Sequence, residues 1–506
     1  MADPYYITTA ISYPNGRPHI GHAYEAIAAD AIARYHRLAG RDVRFLTGTD
    51  EHGLKMVQAA RDRGVSVRAL ADEMSGHFRT MCDRLDISYD RFIRTTDPDH
   101  HAASQTLWQA LADAGDLYRD RYEGWYSVRD EAFYDEAELL DGEGGGRLSP
   151  QGTPVEWTTE ETWFFRLSRY QRPLLDLYAA NPGFVQPESR RNEVLRFVEG
   201  GLSDLSVSRT SFDWGVKVPG SDGHVMYVWV DALTNYLTGA GYPDGDMGYW
   251  PADLHLIGKD IVRFHAVYWP ALLMSAGIAP PRAVFGHGFL LHRGEKMSKT
   301  LGNVVDPLML ADAFGIDPLR YFLLREVSFG QDGSYSAEAI VTRANADLAN
   351  GLGNLAQRCL SIIAKACGGI VPVADADTPP LVLGDVAGKV AAAMRDLQLN
   401  EALETIWESV RTANGYFADL APWALRKTDP ARADAVLYHT AEAVRQLAIL
   451  VRWVVPASAD ALLDQLGQGS DARDLAALAV PLAPGTALPP PAGVFPRLDL
   501  PSEAGR

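Results

Sequence analysis

Several features that would place this chain of 506 residues in particular protein classes are absent from it. Its three cysteines, Cys82, Cys359 and Cys367, are too few and too far apart for a disulfide framework, which favours a reducing, cytoplasmic location. No run of about 20 apolar residues occurs, so we expect no membrane-spanning helix and no membrane partner. The net charge of −18 argues against a general affinity for nucleic acid, so any such binding must use local basic patches.

Lysine is also scarce, and it is unevenly distributed. Of the eight lysines, two fall within four residues in Lys296-Met297-Ser298-Lys299-Thr300, which follows the apolar stretch 285–291. Two ammonium groups on one loop can neutralise negative charge that develops on the phosphates of a nucleotide. The alternative is a solvated charge cluster on a turn.

A pair of histidines lies near the start of the chain, in His19-Ile20-Gly21-His22. The uncharged run 5–12 before it is rich in β-branched and aromatic residues, and apolar residues at helical spacing follow it as far as residue 39. We therefore expect both histidines on the first turn of the first helix, where unpaired N–H groups favour an anion and open α/β sheets bind nucleotides. Taken alone, the motif also fits two surface histidines at a helix start.

Strand and helix patterns alternate in two parts of the chain, which predicts an α/β fold with a doubly wound parallel sheet. Between these parts, short aromatic-rich strands and a helix near 159–180 predict an inserted lobe. The alternation resumes with a predicted strand at 225–230. The predicted units are 1–115 and 224–290 for the two halves of the sheet domain, 116–223 for the lobe, 291–335 for a linking segment with the lysine loop, 336–466 for an all-α bundle and 467–506 for a surface tail.

Five further strings accompany the two motifs. In chain order they are Ala10-Ile11-Ser12-Tyr13-Pro14-Asn15-Gly16, Gly48-Thr49-Asp50-Glu51-His52-Gly53, Tyr227-Val228-Trp229-Val230-Asp231-Ala232, Gly258-Lys259-Asp260-Ile261 and Phe264-His265-Ala266-Val267-Tyr268-Trp269-Pro270. With these strings the chain resembles the methionyl-tRNA synthetase family of class I aminoacyl-tRNA synthetases over nearly its whole length. The resemblance implies a Rossmann-type catalytic domain, an inserted connective lobe for the acceptor end of tRNA, and a helical anticodon-binding bundle.

The same resemblance implies a reaction and the groups that support it. L-methionine would be activated with ATP to methionyl-adenylate and then transferred to tRNA(Met) carrying the CAU anticodon, with Mg²⁺ escorting the triphosphate. His19 and His22 would stabilise the transition-state phosphate, and Lys296 and Lys299 the leaving pyrophosphate. The implied ATP-binding set is His19, Gly21, His22, Gly258, Asp260, Lys296, Ser298 and Lys299, with Asp260 accepting from ribose hydroxyls.

A site for methionine must enclose an unbranched thioether that forms no strong hydrogen bond, so an aromatic and aliphatic pocket with one polar contact to sulfur is expected. By resemblance, the pocket is lined by Ile11, Tyr13, Trp229, Ala232, Leu233, Tyr236, Ile261 and His265. Asp50 would hold the substrate ammonium. From the residues alone, ordinary core packing explains the aromatic members equally well. Leu233 departs from the family pattern, in which proline is common at this position.

The lobe also departs from a family pattern, because many members carry Cys-x-x-Cys pairs there that hold structural zinc. Ser127-Val128-Arg129-Asp130 and Leu148-Ser149-Pro150-Gln151 stand in place of those pairs, and no cysteine lies in the lobe. The sequence therefore predicts a zinc-free protein, with no resident metal site. Large apolar side chains would hold the lobe instead: Trp125, Tyr126, Phe133, Tyr134, Trp157, Trp163, Phe164 and Phe165.

The bundle contains residues suited to reading the unstacked bases of an RNA loop. Asn354 and Arg358 are one helical turn apart, and Trp423 follows a proline that starts a new segment. By resemblance we expect these three residues to bind the anticodon, although a surface Asn and Arg with a core Trp would fit the residues alone. Further basic candidates, by position only, are Arg320, Arg325, Arg343, Arg411, Arg426 and Lys427.

Three alternatives are weighed against this interpretation. Another class I amino-acid activating enzyme, such as a valyl, isoleucyl or leucyl synthetase, would carry a larger inserted editing domain than roughly a hundred residues allow. A nucleotidyltransferase of the same superfamily would share the histidine motif but would be shorter and lack the bundle. A non-enzymatic tRNA-binding module would keep the bundle but lose the paired histidines and lysines. The chain ends soon after the bundle without an added dimerising module, so a monomer is expected.

Overall fold

The first part of the chain alternates between strands and helices. The computed structural model describes residues 3–142, 146–292, 295–296, 304–375 and 377–500, with the backbone alone at 133, 292, 295 and 296. The first elements are β1 (Pro4–Thr9), α1 (Ile20–Leu38), β2 (Asp42–Thr49), α2 (Leu54–Arg63), α3 (Val67–Arg84), β3 (Arg91–Arg94) and α4 (Pro98–Asp113). Helix α1 ends before Gly40, whose φ of +81° is a conformation that glycine adopts without strain.

The next segment forms a second sheet and several short elements. They are β4 (Leu117–Ser127), β5 (Ala132–Tyr134), β6 (Leu140–Asp141), β7 (Arg147–Leu148), β8 (Glu156–Phe165), α5 (Gln171–Ala180), β9 (Val185–Gln186), α6 (Glu188–Glu199), β10 (Leu205–Ser206) and β11 (Ser208–Arg209). The four-stranded order is β10-β8-β4-β5, and β4 and β8 pair antiparallel along their whole length.

One expectation in this segment is wrong. The helix predicted near 159–180 begins only at Gln171, because 156–165 is strand β8. Its sequence Glu-Trp-Thr-Thr-Glu-Glu-Thr-Trp-Phe-Phe is rich in β-branched and aromatic side chains, which pack well on a pleated sheet. Pairing with β4 therefore determines the structure of this stretch.

The chain then returns to the first sheet. The elements are β12 (Val225–Met226), α7 (Val228–Gly239), β13 (Leu254–Gly258), α8 (Trp269–Ser275) and β14 (Val284–His287), with a π-helical turn at Phe264–Tyr268 before α8. The six-stranded order is β3-β2-β1-β13-β14-β9, and every pair is parallel. This order reverses between β1 and β13, and such a reversal opens a crevice at the carboxyl ends of the two strands. The edge strand β9 comes from within the segment 116–223.

The strand predicted at 225–230 is also wrong beyond Met226, because the chain enters helix α7 at Val228. Nearly every residue of α7 is buried, so its sequence has no polar face and resembles a buried strand. The correction matters because Trp229 and Asp231 lie on this helix.

The remaining elements connect the sheet domain to a helical bundle. They are β15 (Leu290–His292), β16 (Glu295–Lys296), α9 (Pro307–Phe314), α10 (Ile316–Glu326), β17 (Gly333–Tyr335), α11 (Ala337–Arg343), α12 (Asn354–Ala366), α13 (Val386–Arg395), α14 (Leu399–Leu420), α15 (Pro422–Leu425), α16 (Pro430–Val451) and α17 (Pro456–Gln465). A π-helical stretch, Ala344–Gly353, joins α11 to α12. The parallel sheet with helices followed by an all-α bundle confirms the predicted fold class.

The last described residues run back over the bundle. The backbone of Leu488 donates to the carbonyl of Gly369 at 2.8 Å, and Asn345 exchanges two hydrogen bonds of 2.8 Å with the backbone of Leu498. Across the described ranges, no helix is both long and apolar enough to cross a membrane.

Candidate active site and anticodon face

The two histidines of the first motif lie at the N-terminus of α1. His19 is the N-cap residue, with extended backbone, and its Nδ1 accepts from the backbone N–H of Gly21 at 3.0 Å. His22 Nδ1 accepts from the backbone N–H of His19 at 3.1 Å. A ring nitrogen that accepts carries no proton, so each neutral imidazole holds its proton on Nε2. Both rings can therefore donate from Nε2, and their centroids are 3.9 Å apart.

A cavity of about 380 Å³ opens beside this motif, near the carboxyl ends of β1 and β13. It includes every residue expected around methionine: Ile11, Tyr13, Asp50, Trp229, Ala232, Leu233, Tyr236, Ile261 and His265. His22, Gly258 and Asp260 line the same cavity. His19 and Gly21 lie on the adjoining turn, outside its lining. The structure thus brings all the expected amino-acid residues and three of the eight expected nucleotide residues into one space.

The apolar wall of the cavity comes from α7 and the turn before α8. The indole of Trp229 stacks on Phe264 with ring centroids 3.8 Å apart and an interplanar angle of 8°. The Trp229 Nε1 atom is buried without a hydrogen-bond partner in the structure. Ala232 and Leu233 complete this side, so the wall is largely aromatic and aliphatic.

The polar end of that wall has a fixed pattern of protons. His265 Nδ1 donates to the carbonyl oxygen of Ile261 at 3.0 Å, so its Nε2 accepts from the Tyr236 hydroxyl at 2.7 Å. Burial lowers the pKa of His265 to about 4. The imidazole is consequently neutral near pH 7, and this part of the cavity carries no charge.

Asp50 supplies a carboxylate on the opposite side. It is 6% exposed, and its Oδ1 atom has no hydrogen-bond partner in the structure. Burial, followed by the nearby carboxylates of Asp231 and Glu131, raises the pKa of Asp50 well above its usual value. A buried carboxylate with an unpaired oxygen is suited to bind a cation, which would favour its ionised form.

The adenosine end of the cavity is formed after β13. Asp260 lies on a short 3₁₀ turn, Lys259–Ile261, directly after Gly258. A Cβ atom at Gly258 would come within 2.7 Å of Asp260 Oδ1, so a side chain at this position would displace the Asp260 carboxylate. Nearby, Glu25 of α1 lies 2.9 Å from His287 Nε2 at the end of β14.

Sequence reasoning missed several residues that line the cavity, chiefly Glu131 from the lobe. Glu131 has a φ of +50° and is 5% exposed. Its carboxylate accepts from the backbone N–H of Lys55 at 3.0 Å and from the hydroxyl of Tyr126. No local motif marks this glutamate, and only the folding of the lobe over the sheet brings it to the cavity. The other missed members are Ala10, Ser12, Glu25, Lys55, Arg129, Asp130, Gln151, Thr153, Val228 and Phe264.

The lysine loop is described only in part. Strand β15 pairs with β16 and β17, and the backbone of Lys296 belongs to β16. Its side chain is not described, and Ser298 and Lys299 lie outside the described residues.

A hydroxyl network takes the place of the cysteine pairs in the lobe. Ser149 and Thr153 donate to Asp130 Oδ2 at 2.8 and 2.5 Å, and the Ser127 and Thr153 hydroxyls are 2.8 Å apart. The Tyr134 hydroxyl also donates to Asp130, at 3.0 Å. Within the part of the chain that the structure describes, no group of three or more His, Cys, Asp or Glu side chains is arranged to hold a metal ion.

In the bundle, two of the expected anticodon residues are in contact. The Arg358 guanidinium lies 4.8 Å from the centroid of the Trp423 ring, on which it can form a cation–π contact. Trp423 is 43% exposed, and its ring meets Phe417 edge-on at 5.6 Å. Asn354 is exposed one turn before Arg358 on α12. This face therefore presents an amide, a guanidinium and an aromatic ring.

Of the additional basic candidates, Arg320 is wrong, and four others already pair with acidic side chains. Arg320 is completely buried and bonded to Asp30, so it cannot contact RNA. Arg343 is paired with Glu326 at 2.7 Å. Arg325 and Arg411 both pair with Glu404, and Arg426 pairs with Asp434. Position in the sequence could not reveal these partners, which come from other helices except in the Arg411–Glu404 pair within α14.

Comparison with known proteins places the chain in a family. The family described as "tRNA synthetases class I (M)" matches residues 5–143 and 148–360, and the "Anticodon binding domain of methionyl tRNA ligase" matches residues 386–502. The chain is 61% identical to the methionine–tRNA ligase of Mycobacterium bovis and 60% identical to that of Brucella melitensis. In each case 98% of both chains is covered.

Solved structures agree with this assignment. The Mycobacterium tuberculosis methionyl-tRNA synthetase in complex with methionyl-adenylate superimposes with a TM-score of 0.96 at 59% identity, covering 98% of this chain and all of that one. The apo form of that synthetase superimposes with a TM-score of 0.90 at 56% identity, covering 99% of each chain. The sequence motifs, the cavity and these relatives agree, and the chain belongs to the methionyl-tRNA synthetase family of class I aminoacyl-tRNA synthetases.

Proposed function

We propose that the chain joins L-methionine to tRNA(Met) carrying the CAU anticodon, in the two-step reaction of its family. ATP first converts methionine to methionyl-adenylate, and the methionyl group then passes to the tRNA. The chain is therefore a ligase. The observation that carries the proposal is the single cavity that joins the aromatic wall and Asp50 to His22 and Asp260.

The first step needs no general base, because the methionine carboxylate is already an anionic nucleophile. One carboxylate oxygen attacks the α-phosphorus of ATP in line, and the bond from that phosphorus to the bridging oxygen breaks. The electron pair leaves with pyrophosphate. Catalysis then consists of positioning the reactants and stabilising the developing charge.

His19 and His22 stabilise the α-phosphate in this transition state by donating from Nε2. The support is their tautomer, since each Nδ1 already accepts a backbone N–H. Neutral imidazoles that are held in place before the reaction cost no reorganisation when charge develops. Gly21 belongs to the same turn, where the His19 ring occupies the space that a side chain at residue 21 would need.

Lys296 and Lys299 act on the pyrophosphate, with Ser298 as a further ATP contact. This part of the proposal comes from the sequence motif and the family resemblance. Mg²⁺ would enter bound to ATP and neutralise part of the triphosphate charge. Asp260 and Gly258 hold the ribose at the end of β13.

Asp50 binds the methionine ammonium, and the aromatic wall encloses the side chain. Tyr13, Ile11 and Ile261 line the cavity with the residues of α7. The neutral His265 and Tyr236, whose protons are already donated within the protein, form the polar end of the pocket without introducing a charge. A thioether gains little from hydrogen bonds, so selection depends on shape and on the exclusion of charged or branched side chains.

In the second step, a hydroxyl of the terminal adenosine of tRNA attacks the activated carbonyl and displaces AMP. Asn354, Arg358 and Trp423 bind the anticodon by hydrogen bonding and stacking. We also propose that the protein acts as a monomer and that it works in the cytoplasm, the location expected of a tRNA-charging enzyme.

An amino-acid substitution with a matched control tests this site. Asp50→Asn should raise the KM for L-methionine about a hundred-fold, because the ammonium loses its charged partner in a buried position. The KM for ATP should change little. Asp62→Asn, at an exposed carboxylate on α2, is the control and should behave like the parent enzyme. An unchanged methionine KM in Asp50→Asn would show that the ammonium binds elsewhere.

A further inference from the structure

A buried ionic bridge connects two walls of the amino-acid cavity. The Oδ2 atom of Asp231, on α7, lies 2.6 Å from Nδ1 of His52, and its Oδ1 atom lies 2.7 Å from Nε2 of His100. The side chains of Asp231 and His100 are completely buried, and that of His52 is 4% exposed. None of the three lines the cavity.

The backbone of His52 is tied to two groups that do line the cavity. The Tyr13 hydroxyl donates to the carbonyl oxygen of His52 at 2.6 Å. Asp50 is only two residues earlier in the chain, and the backbone of His52 favours the ionised form of its carboxylate. Any shift of His52 would therefore move the hydroxyl of Tyr13 and the carboxylate of Asp50 together.

We infer that Asp231 is a positioning residue that acts through His52 to hold Asp50 and Tyr13 in the geometry that binds the substrate ammonium. The inference rests on the proposed role of Asp50. Asp231 lies between Trp229 and Ala232 on α7, so the same bridge fixes the distance between the apolar wall and the ammonium-binding wall.

The charge of this bridge explains why it rigidifies the site. Burial alone would raise the pKa of Asp231, but His52 and His100 hold that pKa below its usual value, so Asp231 is ionised. A buried carboxylate is costly unless both oxygens are bonded, which ties Asp231 to this arrangement of its partners. His100 holds the other side of the bridge in place, because its Nδ1 atom lies 3.1 Å from the Thr238 hydroxyl of α7.

Substitutions at His52 separate positioning from general packing. His52→Leu removes the hydrogen bond to Asp231, whereas the side-chain amide of His52→Asn can donate from nearly the position of Nδ1. In ATP–pyrophosphate exchange, His52→Leu should raise the KM for L-methionine about ten-fold or more, as expected for loss of a charged hydrogen bond. The KM for ATP should stay within about two-fold of the parent value, because the substitution weakens the binding of methionine and leaves the binding of ATP unchanged.

The controls are a conservative variant of His52 and a variant of His100, the second histidine bonded to Asp231. His52→Asn should restore the methionine KM to within about three-fold, since the hydrogen bond is kept. His100→Gln, whose side-chain amide can donate to Asp231 from nearly the position of Nε2 and so keeps the second hydrogen bond, should leave both KM values nearly unchanged. If His52→Leu does not fold, Asp231→Asn takes its place. The asparagine amide has one accepting oxygen where the carboxylate has two, so it can accept from only one of the two histidines.

Three results would overturn the inference. They are an unchanged methionine KM in both His52→Leu and Asp231→Asn, equal effects of His52→Leu and His52→Asn, and equal increases of the methionine and ATP KM values. The proposed function is tested separately by Asp50→Asn. A large effect there with none at His52 or Asp231 would refute only the positioning role, whereas no effect of Asp50→Asn would refute the ammonium site itself.

Discussion

Arg320 donates to Asp30 at 2.5 Å, and both side chains are completely buried. Asp30 belongs to α1, which begins at the histidine motif, and Arg320 belongs to α10. Arg320 Nε also donates to the backbone carbonyl of Val454 at 2.9 Å, at the corner between α16 and α17. Through this ion pair and this hydrogen bond, Arg320 ties the helix of the histidine motif to the helical bundle.

Removal of one partner of this pair should destabilise the protein severely. Asp30→Asn would leave the Arg320 guanidinium buried without a counter-charge, and such changes cost about 3–5 kcal/mol. Glu73→Gln, at a pair with Arg63 in which both side chains are nearly half exposed, should cost at most about 1 kcal/mol. Denaturant unfolding of both variants measures the difference, and equal stabilities would show that the buried pair does not support the fold.

His22→Ala and Lys299→Ala should each slow methionyl-adenylate formation by roughly two to three orders of magnitude with little change in methionine affinity. The reason is that both side chains act on phosphate charge that grows only in the transition state. Single-turnover measurement of adenylate formation provides the rate. If the variants bind ATP more weakly but form the adenylate at the parent rate, these residues bind ATP in its ground state.

Trp423→Ala should reduce aminoacylation of tRNA(Met) while leaving ATP–pyrophosphate exchange intact. Stacking on an RNA base contributes about 1–3 kcal/mol, and Trp423 is 43% exposed beside Arg358. Trp423→Phe keeps an aromatic face and should retain most of the charging activity. Equal losses in the two assays would indicate a folding defect and favour a purely structural role for this residue.

The purified protein should contain far less than one zinc ion per chain when it is prepared without a metal-binding tag. In the lobe, the positions expected for the cysteine pairs hold the Ser127, Asp130, Ser149 and Thr153 network, which satisfies its own hydrogen bonds. Elemental analysis measures the metal content. A stoichiometric amount of zinc would contradict the prediction of a zinc-free protein.

The sequence correctly predicted those helices and strands whose start, period and end are marked by local residues. The histidine motif opens α1 as expected, because a cap, a helical period and a final glycine all occur in one short stretch. Helix α7 was mistaken for a strand at 225–230, because a helix that is buried on all sides lacks the polar face that would reveal its period.

Residues that line the cavity could be predicted only where they lie in or near a sequence string that is typical of the family. Trp229, Tyr236 and His265 are in or next to such strings, and the structure brings them into one cavity. Glu131 belongs to no motif and reaches the cavity through a left-handed backbone conformation in the lobe. The bridge from Asp231 to His52 spans 179 positions, a separation that no local pattern encodes.

The central claim is that the cavity activates methionine with ATP, and amino-acid-dependent ATP–pyrophosphate exchange tests it most directly. The purified enzyme is assayed with each of the twenty amino acids in turn. Rapid exchange with L-methionine, with the other nineteen near background, is the predicted result. Exchange that is stimulated more strongly by another amino acid, or that is absent with methionine, would contradict the account.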